Sequence, residues 1–145
     1  MAVFNKFEGF VEHLAEGVHN LGTSTLKVYL VNASSAPVGT LLTANTIKSN
    51  VAEIPTGNGY VLGGVQATVT ASSQTSGTYK LVLADAIFTA AAGTIGPFRY
   101  AVLYNSSAAS NNLIGFYDYG SNVTLLDGES LTVDFDPSNG ALTLA

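Results

Sequence analysis

The 145-residue sequence predicts a mainly β fold, a two-sheet antiparallel sandwich or jelly roll with one N-terminal amphipathic helix. Three observations predict it. Apolar residues recur every three to four positions as far as Val18, and from Leu21 onward the period changes to two. About eight to ten short alternating runs follow, separated by clusters of Gly, Ser and Asn. Charged residues make up 10% of the chain and hydrophobic ones 47%, whereas soluble domains average about 25% charge. A neutral, hydroxyl-rich exterior of this kind is easiest to rationalise if partners cover much of it.

The first element spans Val3 to Val18. Phe4, Phe7, Val11, Leu14 and Val18 fall on one helical face, and Phe10 widens the stripe. Glu8, Glu12, His13, Glu16 and His19 occupy the remaining circumference. Asn5 with Glu8 suggests a capping box, and Gly22 a stop. Gly9 and Gly17 each cost up to about 1 kcal/mol in a helix, and Glu8, Glu12 and Glu16 place like charges four apart. Such a helix must be held by what it packs against. Residues 1–21 thus form a helical segment or arm, and residues 22–145 the β domain. Two readings of the stripe stay open: it covers its own sandwich, or it projects and docks on a neighbouring subunit.

Leu26, Val28 and Leu30 alternate with Lys27, Tyr29 and Val31 as a strand does. Between Asn32 and Pro55 the pattern is poor, with a turn at Ser34-Ser35-Ala36-Pro37 and then a loop or short edge strands. Glycine pairs bracket Tyr60 to Leu62, and Val65 to Ala71 alternates. Ser72 to Gly77 reads as a turn leading into Tyr79 to Leu83. Phe98 to Tyr104 is the longest clean strand, followed by a polar loop from Asn105 to Asn112. Leu113 to Tyr119, Val123 to Leu126, Ser130 to Phe135 and Ala141 to Leu144 complete the set. Asp136-Pro137-Ser138-Asn139-Gly140 has the Asn-Gly chemistry of a hairpin turn.

Reactive chemistry finds little support. His13 and His19 lie six apart, which on a continuous helix points them to opposite sides. Cysteine is absent, which removes thiolate chemistry and cysteine-based zinc sites. Asp134 and Asp136 have a faint calcium-loop look without the closing Glu, and fit better as the polar face of a strand. Asp118, Asp127, Glu129 and Asp134 supply carboxylates for glycoside hydrolysis, but the chain has no Trp for a sugar platform. No catalytic, cofactor-binding or metal-binding set is therefore predicted.

Net charge is −5 with five scattered Lys and Arg, so no nucleic-acid footprint exists. No apolar run reaches the roughly 18 residues of a membrane span. Charges at Lys6, Glu8 and Glu12 interrupt any signal-peptide core. The expectation is a protein made in a cytoplasm.

Phe4-Asn5-Lys6-Phe7, Phe10-Val11-Glu12, His19-Asn20-Leu21 and Thr25-Leu26-Lys27-Val28 resemble a family of small virion structural proteins of tailed bacteriophages. Arg99 to Tyr104, Leu113 to Gly120 and the Asn139-Gly140 turn into a Leu-Thr-Leu ending extend the resemblance along nearly the whole chain, excepting Asn32 to Ile54. The resemblance implies a capsid decoration or cement protein on the virion exterior. It would form a dimer or trimer and bridge subunits of the major capsid protein; a tail, neck or fibre-associated position is the alternative within that class. On this reading Phe4, Phe7, Val11 and Leu14 of the stripe, with Asn105, Asn111 and Asn112 of the polar loop, are the expected partner contacts. A carbohydrate- or host-receptor-binding module, using Tyr side chains and loop amides, is the alternative from another class.

Overall fold

The computed structural model describes residues 2–34 and 43–145. The turn expected at Ser34-Ser35-Ala36-Pro37, and part of the loop after it, fall largely outside these residues. Along the described residues run β1 (Phe4–Lys6), α1 (Gly9–Ala15), β2 (Leu26–Val31), β3 (Val65–Gln66), β4 (Val69–Thr75), β5 (Thr78–Leu83), β6 (Ala86–Thr89), β7 (Ile95–Asn105), β8 (Leu113–Leu125), β9 (Ser130–Val133) and β10 (Leu142–Leu144). All pairings are antiparallel. A five-stranded sheet runs β1-β8-β7-β2-β3, a three-stranded sheet β10-β5-β4, and β6 pairs with β9. The fold is the mainly β, sandwich-like architecture that the alternation predicts, with three sheets in place of two.

The large sheet buries both faces. Leu26, Val28 and Leu30 of β2 join Ala101, Leu103 and Ile114 in the inner core, against Leu81, Leu83, Phe88 and Val133 of the smaller sheets. The alternate residues Tyr29 and Val31 join Tyr100, Val102, Tyr104 and Phe116 in a second cluster with Phe7 and Val51. Period 2 separates the two sets by the pleat. The Lys48 ammonium lies 4.7 Å from the Tyr29 ring centroid and pairs with Glu53, closing this second cluster with a cation.

The N-terminal helix is shorter than its stripe suggests. Phe4–Lys6 is a strand on the outer edge of β8, where Phe4 faces Tyr117 and Lys6 faces Gly115. Gly115 permits this approach, because a Cβ there would stand 2.2 Å from Phe4 Cζ and 2.8 Å from the Asn5 carbonyl oxygen. The capping box is absent: Asn5 donates to the Val3 carbonyl, and Glu8 accepts from Thr43 Oγ1 at 3.0 Å. Nor does the helix run on to Gly22. Gly17, at φ +79, ends it, as Gly17 N–H reaches the Leu14 carbonyl at 3.3 Å and Val18 N–H the His13 carbonyl at 2.8 Å. These are the two bonds of a Schellman cap.

Three further expectations are corrected. Ser72 to Thr75 continues β4, and the turn narrows to Ser76 and Gly77, both at positive φ as a two-residue hairpin requires. Leu113 to Leu125 is one strand; Tyr100 faces Asp118 but Phe98 faces Val123, so β8 bulges through 119–122. The Asn139-Gly140 turn forms, with Gly140 N–H on the Asp136 carbonyl at 2.8 Å. It joins no hairpin, however: β9 pairs with β6 and β10 with β5, so the chain crosses between sheets there.

Candidate functional site

The seven expected partner contacts do not form one exposed surface. Phe7 is fully buried, its ring 5.2 Å from that of Phe116. Phe4 is half-buried with its ring 5.3 Å from Tyr117, and Leu14 packs half-buried on the inner core. Val11 is exposed. Asn105 and Asn112 are buried, contrary to the expected polar loop surface, and Asn111 alone of the three is exposed. Its carbonyl accepts Lys48 N–H at 3.0 Å. The N-terminal segment is thus built into its own domain.

What the structure brings together instead is a polar knot under the helix. Asn105 Oδ1 accepts Ser107 N–H at 2.9 Å and Ala108 N–H at 3.2 Å. That fixes the amide, so Nδ2 donates to Ser24 Oγ at 3.1 Å and to His19 Nδ1 at 3.2 Å. The imidazole proton then belongs on Nε2, which is buried with no partner among the described residues. Phe10 and His13 flank the ring, at 5.3 and 5.9 Å between centroids. Burial, with His13 beside it, holds the His19 pKa down to about 4. Asn112 Nδ2 lies 3.3 Å from His13 Nδ1. The two histidines meet because the helix stops at Ala15 and the Schellman turn brings the chain back; a continuous helix would have separated them.

A second feature escapes sequence reading. A groove of about 860 Å³ opens where β8 runs past β1, opposite the 134–140 connection. Phe4, Tyr117 and Tyr119 line one side, and Asp134, Asp136 and Pro137 lie across from them. Tyr117 stands between Phe4 and Phe135, at 5.3 and 5.8 Å, and burial pushes its phenol up to about 12. Tyr119 meets Phe98 edge-on at 6.4 Å. Asp136 caps its own turn by accepting Ser138 N–H at 2.8 Å and Asn139 N–H at 3.1 Å, which holds its carboxyl below the usual range. Asp134 is exposed and has no ion pair among the described residues. The alternations Tyr117/Tyr119 and Asp134/Asp136 were visible in the sequence; the approach of β1 to β8 that frames the groove was not.

Other carboxylates considered for glycoside chemistry have structural ties. Asp118 takes a two-pronged ion pair from Arg99, at 2.7 and 2.9 Å, and accepts Gly120 N–H at 2.8 Å. The guanidinium bond chiefly holds its carboxyl below the usual range. Glu129 accepts Leu126 N–H at 2.7 Å within a turn. Among the described residues no three His, Asp or Glu side chains converge as a metal site, and no helix is long and apolar enough to cross a membrane.

No protein-family model matches the chain, and neither a curated protein nor a solved structure shows significant similarity to it.

Proposed function

We propose that this chain is a structural docking module of a bacteriophage virion, made in the host cytoplasm and carried on the capsid exterior as a decoration or cement protein. It arrives as a dimer or trimer and buries surface across joints between subunits of the major capsid protein, so that rupture of the shell must also break those contacts. Many weak contacts repeated by symmetry supply strength without tight single-site affinity. The phage-like framework residues and the charge-poor sandwich support this reading.

The observation that carries it is the turn at 57–64. Gly57 and Tyr60 exchange backbone hydrogen bonds at 2.9 Å, and Glu53 Oε1 accepts both Tyr60 Oη–H and Gly63 N–H at 2.8 Å. On this braced tip Val61 and Leu62 stand adjacent and 69% and 59% exposed. An apolar pair held out by a rigid turn suits contact with a partner, since little ordering remains to oppose binding. The docking surface thereby moves from the helix stripe to this turn, with exposed Val11 as an outlying contact. Heads carrying the protein should withstand heating better than bare heads, and Val61→Ser with Leu62→Ser should remove the protection without unfolding the domain. Equal rupture temperatures for decorated and bare heads would refute the proposal.

The groove favours a second reading, a host-surface carbohydrate-binding module with Phe4, Tyr117 and Tyr119 as its platform. Specific glycan capture on an array, lost on replacing Tyr119, would place it first. A tail, neck or fibre position would show instead as binding to tails and none to heads.

A further inference from the structure

We infer that the groove between β8 and the 134–140 connection receives an extended segment of a partner protein, seating an arginine side chain between its tyrosine rings and Asp134. The inference names the partner's chemistry and rests on the docking-module reading above.

The sheet edge supplies the first argument. β8 is 13 residues long, yet β1 pairs only with 115–117 on its outer side. Beyond residue 117 that edge carries no strand among the described residues. An edge of this kind receives an extended segment through its backbone groups, here only short of the bulge at 119–122, where Gly120 N–H is already taken by Asp118 Oδ1.

Charge supplies the second. Asp134 and Asp136 face the groove, and no Lys or Arg lines it. Arg99 is held by Asp118, and Lys80, on the Ser138 carbonyl at 3.0 Å, lends its charge to Asp136, which leaves Asp134 as the groove carboxylate without an ion pair among the described residues. An occupant that brings positive charge is therefore favoured over a neutral or anionic one.

Shape decides between arginine and lysine. A planar guanidinium can stack on a tyrosine face and still present its fork to a carboxylate. Arg99 already does both within this protein, gripping Asp118 with two nitrogens while its Cζ lies 5.2 Å from the Tyr100 ring centroid. A volume of about 860 Å³ has room for such a side chain and the extended backbone that carries it.

Selection of a random displayed hexapeptide library on the purified protein tests the inference. The enriched peptides should carry arginine flanked by alternating apolar residues. A synthetic peptide of the enriched sequence should lose about five-fold in affinity with Asp134→Asn and more with Asp134→Lys, while circular dichroism shows both variants folded. Enrichment without a basic residue, no enrichment, or equal binding by Asp134→Lys would overturn it, as would a glycan that competes for Tyr117 and Tyr119. Head binding separates the two claims. If heads capture the protein but no peptide binds in an Asp134-dependent way, the groove assignment falls and the virion reading stands; Asp134-dependent peptide binding without head binding gives the reverse.

Discussion

Asn105 and His19, 86 positions apart in the chain, share a hydrogen bond of 3.2 Å in which the amide Nδ2 donates to the imidazole Nδ1. Two backbone N–H groups on the other side of the amide forbid its rotation. A proton arriving at His19 Nδ1 would therefore face a donor, inside a pocket already occupied on one side by His13. The bond ties the segment after α1 to the end of β7, and it tolerates only the neutral imidazole.

Stability should consequently fall on acidification. An unfolded histidine titrates near 6.5, whereas His19 in the native fold stays neutral down to about 4. Between those values the unfolded chain binds a proton that the folded one refuses. The contribution is fully present above pH 6.5 and is lost as pH falls toward 4, at no more than about 1.4 kcal/mol per pH unit. Urea midpoints taken from pH 7.5 down to 4.5 measure it. His19→Asn, which keeps an acceptor but does not titrate, should remove this part of the slope.

Phe7 and Val11 should separate folding from contact. Phe7→Ala empties a fully buried site and should cost about 3–5 kcal/mol in chemical denaturation. Val11→Ser, on the exposed side of α1, should change stability by less than about 0.5 kcal/mol. Equal losses for the two would contradict the packing described.

Tyr60 carries a buried relay: its hydroxyl accepts Leu30 N–H at 3.2 Å and donates to Glu53 at 2.8 Å. Tyr60→Phe keeps the ring stacked on Phe88 but strands a strand amide and a carboxylate oxygen. A loss of about 1–3 kcal/mol is expected, read from equilibrium unfolding.

Gly115→Ala should loosen β1. The added methyl meets the Phe4 ring and the Asn5 carbonyl, so the edge strand must shift, at a cost of about 1–3 kcal/mol. Hydrogen exchange should then quicken at 4–6 before it changes in β2 or β7.

Local chemistry made β2 and β7 legible, because period 2 and β-branched or aromatic residues suffice where a strand is buried on both faces. It failed at Phe4–Lys6, whose spacing to Phe7 mimics a helix turn. Pairing with β8 decides that segment, and nothing nearby in sequence reports the gap that Gly115 leaves. β4 was cut short because its Ser and Gln side chains are exposed and read as turn residues, although the hairpin continues through them. Gly17 would be a cost inside a helix, and here it is the helix's cap. The candidate surfaces suffered most: Asn105 and Asn112 look like loop polarity, yet their Nδ2 groups bond partners some 80 to 100 positions away. The groove is likewise a product of long-range pairing.

Docking on a virion is the central claim, and co-sedimentation with undecorated bacteriophage heads tests it most directly. The account predicts saturable binding at a fixed ratio to the capsid protein, weakened by Val61→Ser with Leu62→Ser, with light scattering of the unbound fraction showing a dimer or trimer. Protein that stays in the supernatant at every concentration, while bare heads remain intact, would contradict it.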